Sequence, residues 1–423
     1  MRNTKAYVTG FQFFILVGAL AAVVAGLTWA NYRYTRANPG CNDFITRCLG
    51  ARLFLTEGLS PYSEEASREI QVMIFGRPAR PGEDLSYFVY PLYSVYVFAP
   101  FALVEDFALA RAFWMTALEV SLFLMAGLSL YLTRWRVPLP LLAALLIFTA
   151  LWYHSVRPLI NGNPAIVVAL FLTAALVAIQ TKHDFMAGFL LALATIKPQM
   201  VVLVIPFILL WAGADGRRNL IWGFLFSLLL LSLSVALIIP DWPLQNLRQI
   251  VAYPEYTLPG SPGAIFAQSL PGVGRQLGWA LTILLTAVLI VEWRAAAGQD
   301  FRWFFWTAGL TLVVTNLIGI RTATANYIAL YPVLILVLNA WNERWGRAGR
   351  WLALGTLALL FFGLWGLFLA TVQPGDQPIQ SPVMFFPLPI FLILCLYWVR
   401  WWAIRPPRSL LDQLRQSGTR LSR

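Results

Sequence analysis

The sequence predicts an all-α polytopic membrane protein of about twelve transmembrane helices with a long first outer loop. Composition carries the first part of that reading. Of 423 residues, 59% are hydrophobic and 12% charged, about half the charge of an ordinary soluble chain. Apolar runs long enough to span a bilayer recur along nearly the whole length. The net charge of +12 is gathered in short segments between those runs, the pattern of basic residues retained on the cytoplasmic side. A soluble enzyme, a disulfide scaffold and a disordered chain are excluded.

The elements follow in order. The first apolar run, 10–30, follows Arg2 and Lys5 and lacks a small-residue cleavage site before Asn31, so it reads as a retained anchor helix. Further spans are expected at 107–132, 138–153, 163–180, 184–196, 199–213, 219–239, 277–293, 303–320, 325–341, 350–371 and 383–403. Two of these, 184–196 and 199–213, are short and meet at Ile196-Lys197-Pro198. The run 88–104 is interrupted by Pro91 and Pro100 and is crowded with aromatics in its first half, so it is read as interfacial. With that assignment and a cytoplasmic N-terminus, the inner segments hold 18 basic and six acidic residues, and the outer ones 13 and 12. Were 88–104 to span, every later loop would change sides and the basic loops would face outward, against the positive-inside rule. Both termini are therefore expected in the cytoplasm. Residues 1–403 read as one transmembrane domain with outer segments 31–106 and 240–276, and 404–423 as a basic cytoplasmic tail suited to anionic lipid rather than nucleic acid.

No inner segment is large enough for a nucleotide-binding domain, and no GxxxxGK[ST] phosphate loop is present. Chemistry is expected at the outer face. Asp43 opens the amphipathic stretch Asp43-Phe44-Ile45-Thr46-Arg47 beyond the first span. Arg157 and Asn161-Gly162-Asn163 lie between spans three and four, Lys197 at the turn between the two short spans, and Arg321 ahead of Asn326-Tyr327. Charges beside the apolar slab are costly and hence functional candidates. The competing reading has Arg157 and Arg321 snorkelling to headgroups.

Three motifs carry a family resemblance. Asn42-Asp43-Phe44, Gly58-Leu59-Ser60-Pro61-Tyr62 and Phe88-Val89-Tyr90-Pro91-Leu92, in that order, resemble the first outer loop of glycosyltransferase family 87. Asn161-Gly162-Asn163-Pro164 resembles that family's Gly-Gln-x-Asn segment, without the Gln. The helix Ala187 to Pro198 resembles its Gly-rich helix ending in Lys-Pro. The resemblance implies a GT-C-type fold and an inverting transferase in the plasma membrane. Such an enzyme takes mannose from a polyprenyl-phosphate donor at the outer face and passes it to a glycolipid or cell-envelope glycan acceptor. Leu92 stands where the family has a second proline, and Arg321 to Tyr327 occupies a late loop where a His or acidic residue beside a tyrosine is expected.

That chemistry needs a base for the acceptor hydroxyl and cations for the departing phosphate. Asp43 is the expected base; it also reads as an N-cap for a helix beginning at Phe44. Lys197, Arg321 and Arg157 are the expected phosphate ligands. Asn161, Asn163, Tyr62, Tyr90, Asn326 and Tyr327 are candidates for sugar or acceptor contact, with helix capping as the other reading of Asn161 and Asn163. Glu119, mid-span, is expected to pair with a polar group. His154 and His183 are expected at the interface and have no second ligand at metal spacing, so no metal site and no cofactor beyond the sugar donor are assigned. Cys41 and Cys48 bracket Asp43: an irregular loop would allow a disulfide, and a continuous helix would leave both thiols free. The reading from a different class is a transporter or flippase. It is disfavoured by the absence of an internal repeat and by the displacement of the polar residues to one face.

Overall fold

A computed structural model describes residues 10–38, 40–80, 82–257, 260–318, 321–373 and 379–405. All but two residues of the expected tail, 404–423, lie outside the described residues. The described chain is helical and carries one isolated β-bridge, Gln373 to Ile379. In order its helices are α1 (Gly10–Ala37), α2 (Asn42–Glu57), α3 (Glu64–Phe75), α4 (Val95–Ala102), α5 (Phe107–Thr133), α6 (Leu139–Leu151) and α7 (Tyr153–Asn161). There follow α8 (Ala165–Gln180), α9 (Asp184–Ala194), α10 (Pro198–Val201), α11 (Val204–Ala214), α12 (Arg218–Ala236) and α13 (Trp242–Tyr256). The last are α14 (Pro262–Ser269), α15 (Gly274–Ala296), α16 (Phe301–Thr315), α17 (Tyr331–Trp345), α18 (Arg347–Thr371), α19 (Pro387–Trp398) and α20 (Arg400–Ile404).

Among the described residues, six helical segments are long and apolar enough to cross a membrane: Phe107–Thr133, Leu139–Asn161, Arg218–Ala236, Gly274–Ala296, Thr324–Trp345 and Arg347–Thr371. The chain is an all-α polytopic membrane protein. The other expected spans fall on the 28-residue α1 and on the shorter α8, α9, α11, α16 and α19. The run 88–104 resolves into a 3-10 turn, Leu92–Ser94, and the eight residues of α4. At 1.5 Å per residue these eleven residues reach about 16 Å, well short of a hydrocarbon core of about 30 Å.

The chain divides into two compact units. The first comprises residues 1–124, 155–167 and 229–258. Its core is aromatic: Phe44 stacks on Trp114 at 5.7 Å, and Phe98 and Phe101 approach the same indole at 5.0 and 5.1 Å. Arg52 donates to the carbonyls of Ala102 (2.7 Å) and Val104 (2.5 Å), closing the end of α4. Glu119 finds its expected partner, accepting from the Asn31 amide at 2.9 Å.

The second unit comprises 125–154, 168–228 and 259–423. Its centre is α16 and α17, in which Phe304 to Thr315 and Tyr331 to Trp341 are all buried. Gly188 of the Lys-Pro helix and Gly223 of α12 have a packing reason: a Cβ on Gly188 would strike the α12 backbone around Leu220 and Gly223, and one on Gly223 would strike Phe185. Small residues at such crossings let helix backbones touch. His154, expected at the interface, is enclosed by the protein. It is fully buried, its Nδ1 lies 2.9 Å from the Thr324 carbonyl, and the rings of Trp152, Tyr153 and Tyr327 surround it. A carbonyl can only accept, so Nδ1 carries the hydrogen and the imidazole settles inside with one polar group satisfied. His183 is exposed beside Thr181, 2.9 Å away.

Candidate active site

The site is built on α2. Its start differs from the sequence expectation. The helix begins at Asn42, not Phe44, and its N-cap is Cys41, held in the left-handed conformation at φ 78° with no side-chain cap bond. Asp43 therefore sits in the first helical turn, where a carboxylate is favoured by the helix dipole, and its oxygens are spent elsewhere. One oxygen accepts from Arg47 Nη1 at 3.1 Å and the other from Asn163 Nδ2 at 2.9 Å. The Asp43 side chain remains 29% exposed, enough for a substrate hydroxyl to reach it.

Asn163 performs the capping considered for it and a second task, holding Asp43, that the sequence did not indicate. Its Oδ1 accepts from the Ala165 backbone N–H at 3.0 Å, capping α8, while its amide nitrogen holds Asp43. Gly162 makes this meeting possible. It takes φ +65°, and a Cβ there would lie 2.5 Å from Cys41 Sγ and 2.5 Å from Phe44 Cβ. Trp114 Nε1 fixes the turn by donating to the Gly162 carbonyl at 2.8 Å. Glycine is needed here for conformation and for space together.

Arg47 is the group the sequence reading passed over. Its guanidinium donates to the backbone and side chain of Asp43, at 3.0 and 3.1 Å, and lies 4.4 Å from the centre of the Tyr90 ring. Its Nε is buried without an acceptor. The i,i+4 spacing of Asp43 and Arg47 is the signal that could have found it. Asp84 is a second carboxylate near this centre. Partial burial raises its carboxyl above the usual range, opposed by the Ser86 N–H and by Arg47, with the charge of Asp43 adding to the rise.

Tyr62 and Tyr90 line the same unit as scaffolding. The Tyr62 hydroxyl donates to the Tyr90 carbonyl at 2.5 Å, and Asn246 of α13 donates to that carbonyl at 3.0 Å. Both rings are buried, so their polar groups are engaged within the protein. Ser60 donates to Gln245 at 2.6 Å, and α13 is thereby fastened to the loop that follows α2. Arg157 and Asn161 lie on α7, both partly exposed. Cys41 and Cys48 are free thiols, both buried, as the continuous helix requires. Burial pushes each up to about 12.

The remaining candidates belong to the second unit. Lys197 occupies the break between α9 and α10 and is 2% exposed. Arg321 is partly exposed. Asn326 donates to Thr322 Oγ1 at 3.0 Å and leaves its own Oδ1 buried without a donor. Tyr327 is fully buried, its hydroxyl donating to the Phe385 carbonyl at 2.7 Å.

The structure thus brings a partly open carboxylate, an amide and a guanidinium together in a helical membrane protein. The family model of glycosyltransferase family 87 matches residues 88–316, a little over half the chain. The chain belongs to that family and is a membrane glycosyltransferase. The matched region contains Tyr90, Arg157, Asn161, Asn163 and Lys197; Asp43, Tyr62, Arg321, Asn326 and Tyr327 lie outside it. No curated protein and no solved structure matches the chain.

Proposed function

We propose that this chain is an inverting transferase of the GT-C type that moves mannose from a polyprenyl-phosphate donor to a glycolipid or cell-envelope glycan. The reaction occurs at the outer face of a plasma membrane crossed twelve times, with both termini inside. The observation that carries the reading is the Asp43 carboxylate, held by Asn163 and Arg47 yet still open. In the reaction the acceptor oxygen attacks the anomeric carbon as the bond from that carbon to the phosphate oxygen breaks. The hydroxyl proton passes to Asp43, and the polyprenyl phosphate leaves with the bonding pair. A carboxylate acts as such a base late in the reaction, when the hydroxyl has become acidic.

Lys197, Arg321 and Arg157 are the cations assigned to the leaving phosphate, because developing negative charge is stabilised by pre-positioned cations. Arg47 joins them as the cation adjoining the base. Its contact with Asp43 pairs a guanidinium 11% exposed with a carboxylate 29% exposed.

The test is direct. Purified protein is incubated with radiolabelled polyprenyl-phosphate mannose and a membrane lipid extract, beside the Asp43→Asn variant. Label should move to lipid with the wild type and not with the variant. Equal transfer by both would remove Asp43 from the mechanism, and no transfer by either would remove the donor.

A further inference from the structure

Within the second unit, the C-terminal ends of α5 and α8 frame a cavity of about 480 Å³ lined by Tyr131, Arg134, Trp135, Arg136, Gln180 and Thr181. The glycosyltransferase reading leaves it unused. Arg134 and Arg136 are both exposed, and among the described residues neither guanidinium has an ion pair or a hydrogen bond. No acidic residue lines the cavity. Acids on the neighbouring elements are engaged already: Asp184 with Arg217, and Glu343 with Arg302 and Asn339.

Trp135 is 6% exposed, and its indole N–H is buried without an acceptor. The Trp135 ring forms part of the cavity lining, so the unspent groups at its surface are the two guanidiniums. The helix ends themselves oppose an anion, each carrying roughly half a negative charge. That opposition is blunted, because the last-turn carbonyls are occupied. Leu130 accepts from Trp135 N, Leu132 from the Gln180 amide and Ile179 from Arg217. Two full positive charges then outweigh the residual dipoles. The chain also places a basic residue, Arg134 at φ 52° and Lys182 at φ 63°, at the left-handed closing position of each helix, where glycine is usual.

We propose that this cavity binds the phosphate of an anionic phospholipid headgroup, with Arg134 and Arg136 as its cations and Tyr131 and Trp135 as its walls. The occupant is a membrane lipid because Tyr and Trp favour the headgroup level of a bilayer. Basic pockets between transmembrane helices bind acidic headgroups by this chemistry. The charge assignment puts segment 134–136 at the cytoplasmic leaflet.

The experiment measures the unfolding midpoint of purified protein in detergent micelles as phosphatidylglycerol, phosphatidylcholine or inorganic phosphate is added. Wild type should be stabilised by phosphatidylglycerol alone, and the paired substitution Arg134→Gln with Arg136→Gln should lose at least half of that shift. Arg134→Lys with Arg136→Lys should keep most of it, which guards against a variant that merely folds poorly. An equal shift in wild type and the glutamine pair would mean ordinary lipid contact and would overturn the site. A shift with inorganic phosphate as large as with the lipid would overturn the lipid as occupant. No shift at all would overturn both.

Discussion

At the scale of single residues, the division of labour around Asp43 separates catalysis from stability. The Asp43 to Arg47 pair is an i,i+4 contact between a carboxylate 29% exposed and a guanidinium 11% exposed, and the carboxylate accepts from Asn163 as well. Asp43→Asn keeps one of the two acceptor oxygens, so it should cost one charge-assisted hydrogen bond, about 1.5–3 kcal/mol, while lowering transfer about 10²–10⁴-fold per folded molecule, the usual loss when a general base is removed. Parallel loss of folding and transfer would assign Asp43 to the fold. Lys197 poses the opposite case. At 2% exposure it is not a lysine reaching out to headgroups, and an ammonium is retained at such depth for a partner or a ligand. Lys197→Gln should raise the donor KM and lower kcat together, by about 10²-fold or more in kcat/KM if it meets the leaving phosphate. Unchanged kinetics per folded molecule would make Lys197 a structural residue.

At the scale of elements, the contact that matters most is the seat of α2 on the turn between α7 and α8. Gly162→Ala forces a left-handed conformation on an L-residue and drives a methyl into Cys41 and Phe44, together costing about 2–5 kcal/mol. The variant should melt lower and lose transfer, and adding Cys41→Ala should restore only part of either, because the backbone strain remains. Wild-type melting and transfer in Gly162→Ala would show that the turn does not position Asp43. This element also marks the limit of what the sequence disclosed. The long apolar runs were legible because a bilayer demands about 20 residues of them. The break at Lys197 was legible because Pro198 cannot continue a helix whose N–H groups are needed. The start of α2 was not, since it turns on Cys41 adopting a positive φ after Gly40, also positive at 115°, and no side-chain cap announces it. The grip of Asn163 on Asp43 crosses 120 residues of chain. Asn163 was named for sugar contact or for capping; the fold shows the cap, and its bond to Asp43 answers to neither reason. Arg47 was visible four residues beyond Asp43 yet drew no weight, because an i,i+4 pair on a polar helix is usually a solvated one.

At the scale of the whole molecule, the proposed location of the chemistry rests on charge. Segment 88–104 decides it, because assigning it to the interface rather than to a span places Lys182 and Asp215 inside and Arg248 outside. Its helical part, Leu92–Ala102, is too short to cross a hydrocarbon core of about 30 Å, which favours the interfacial assignment. The native cysteines make the decisive test clean. Cys41, Cys48 and Cys395 are all buried, and the thiols of the first two are pushed up to about 12, so they hold little reactive thiolate near neutral pH. Single cysteines introduced at the exposed positions Glu65, Arg248, Lys182 and Asp215 can then be read against a low background. In intact cells a membrane-impermeant maleimide should label Glu65→Cys and Arg248→Cys and spare Lys182→Cys and Asp215→Cys. Were 88–104 to cross the membrane, Glu65→Cys would still label, Arg248→Cys would fall silent and Lys182→Cys would label in its place. That pattern would move Arg157, Lys197 and Arg321 to the cytoplasmic side while leaving Asp43 outside, and would deprive the proposed base of all three of those cations.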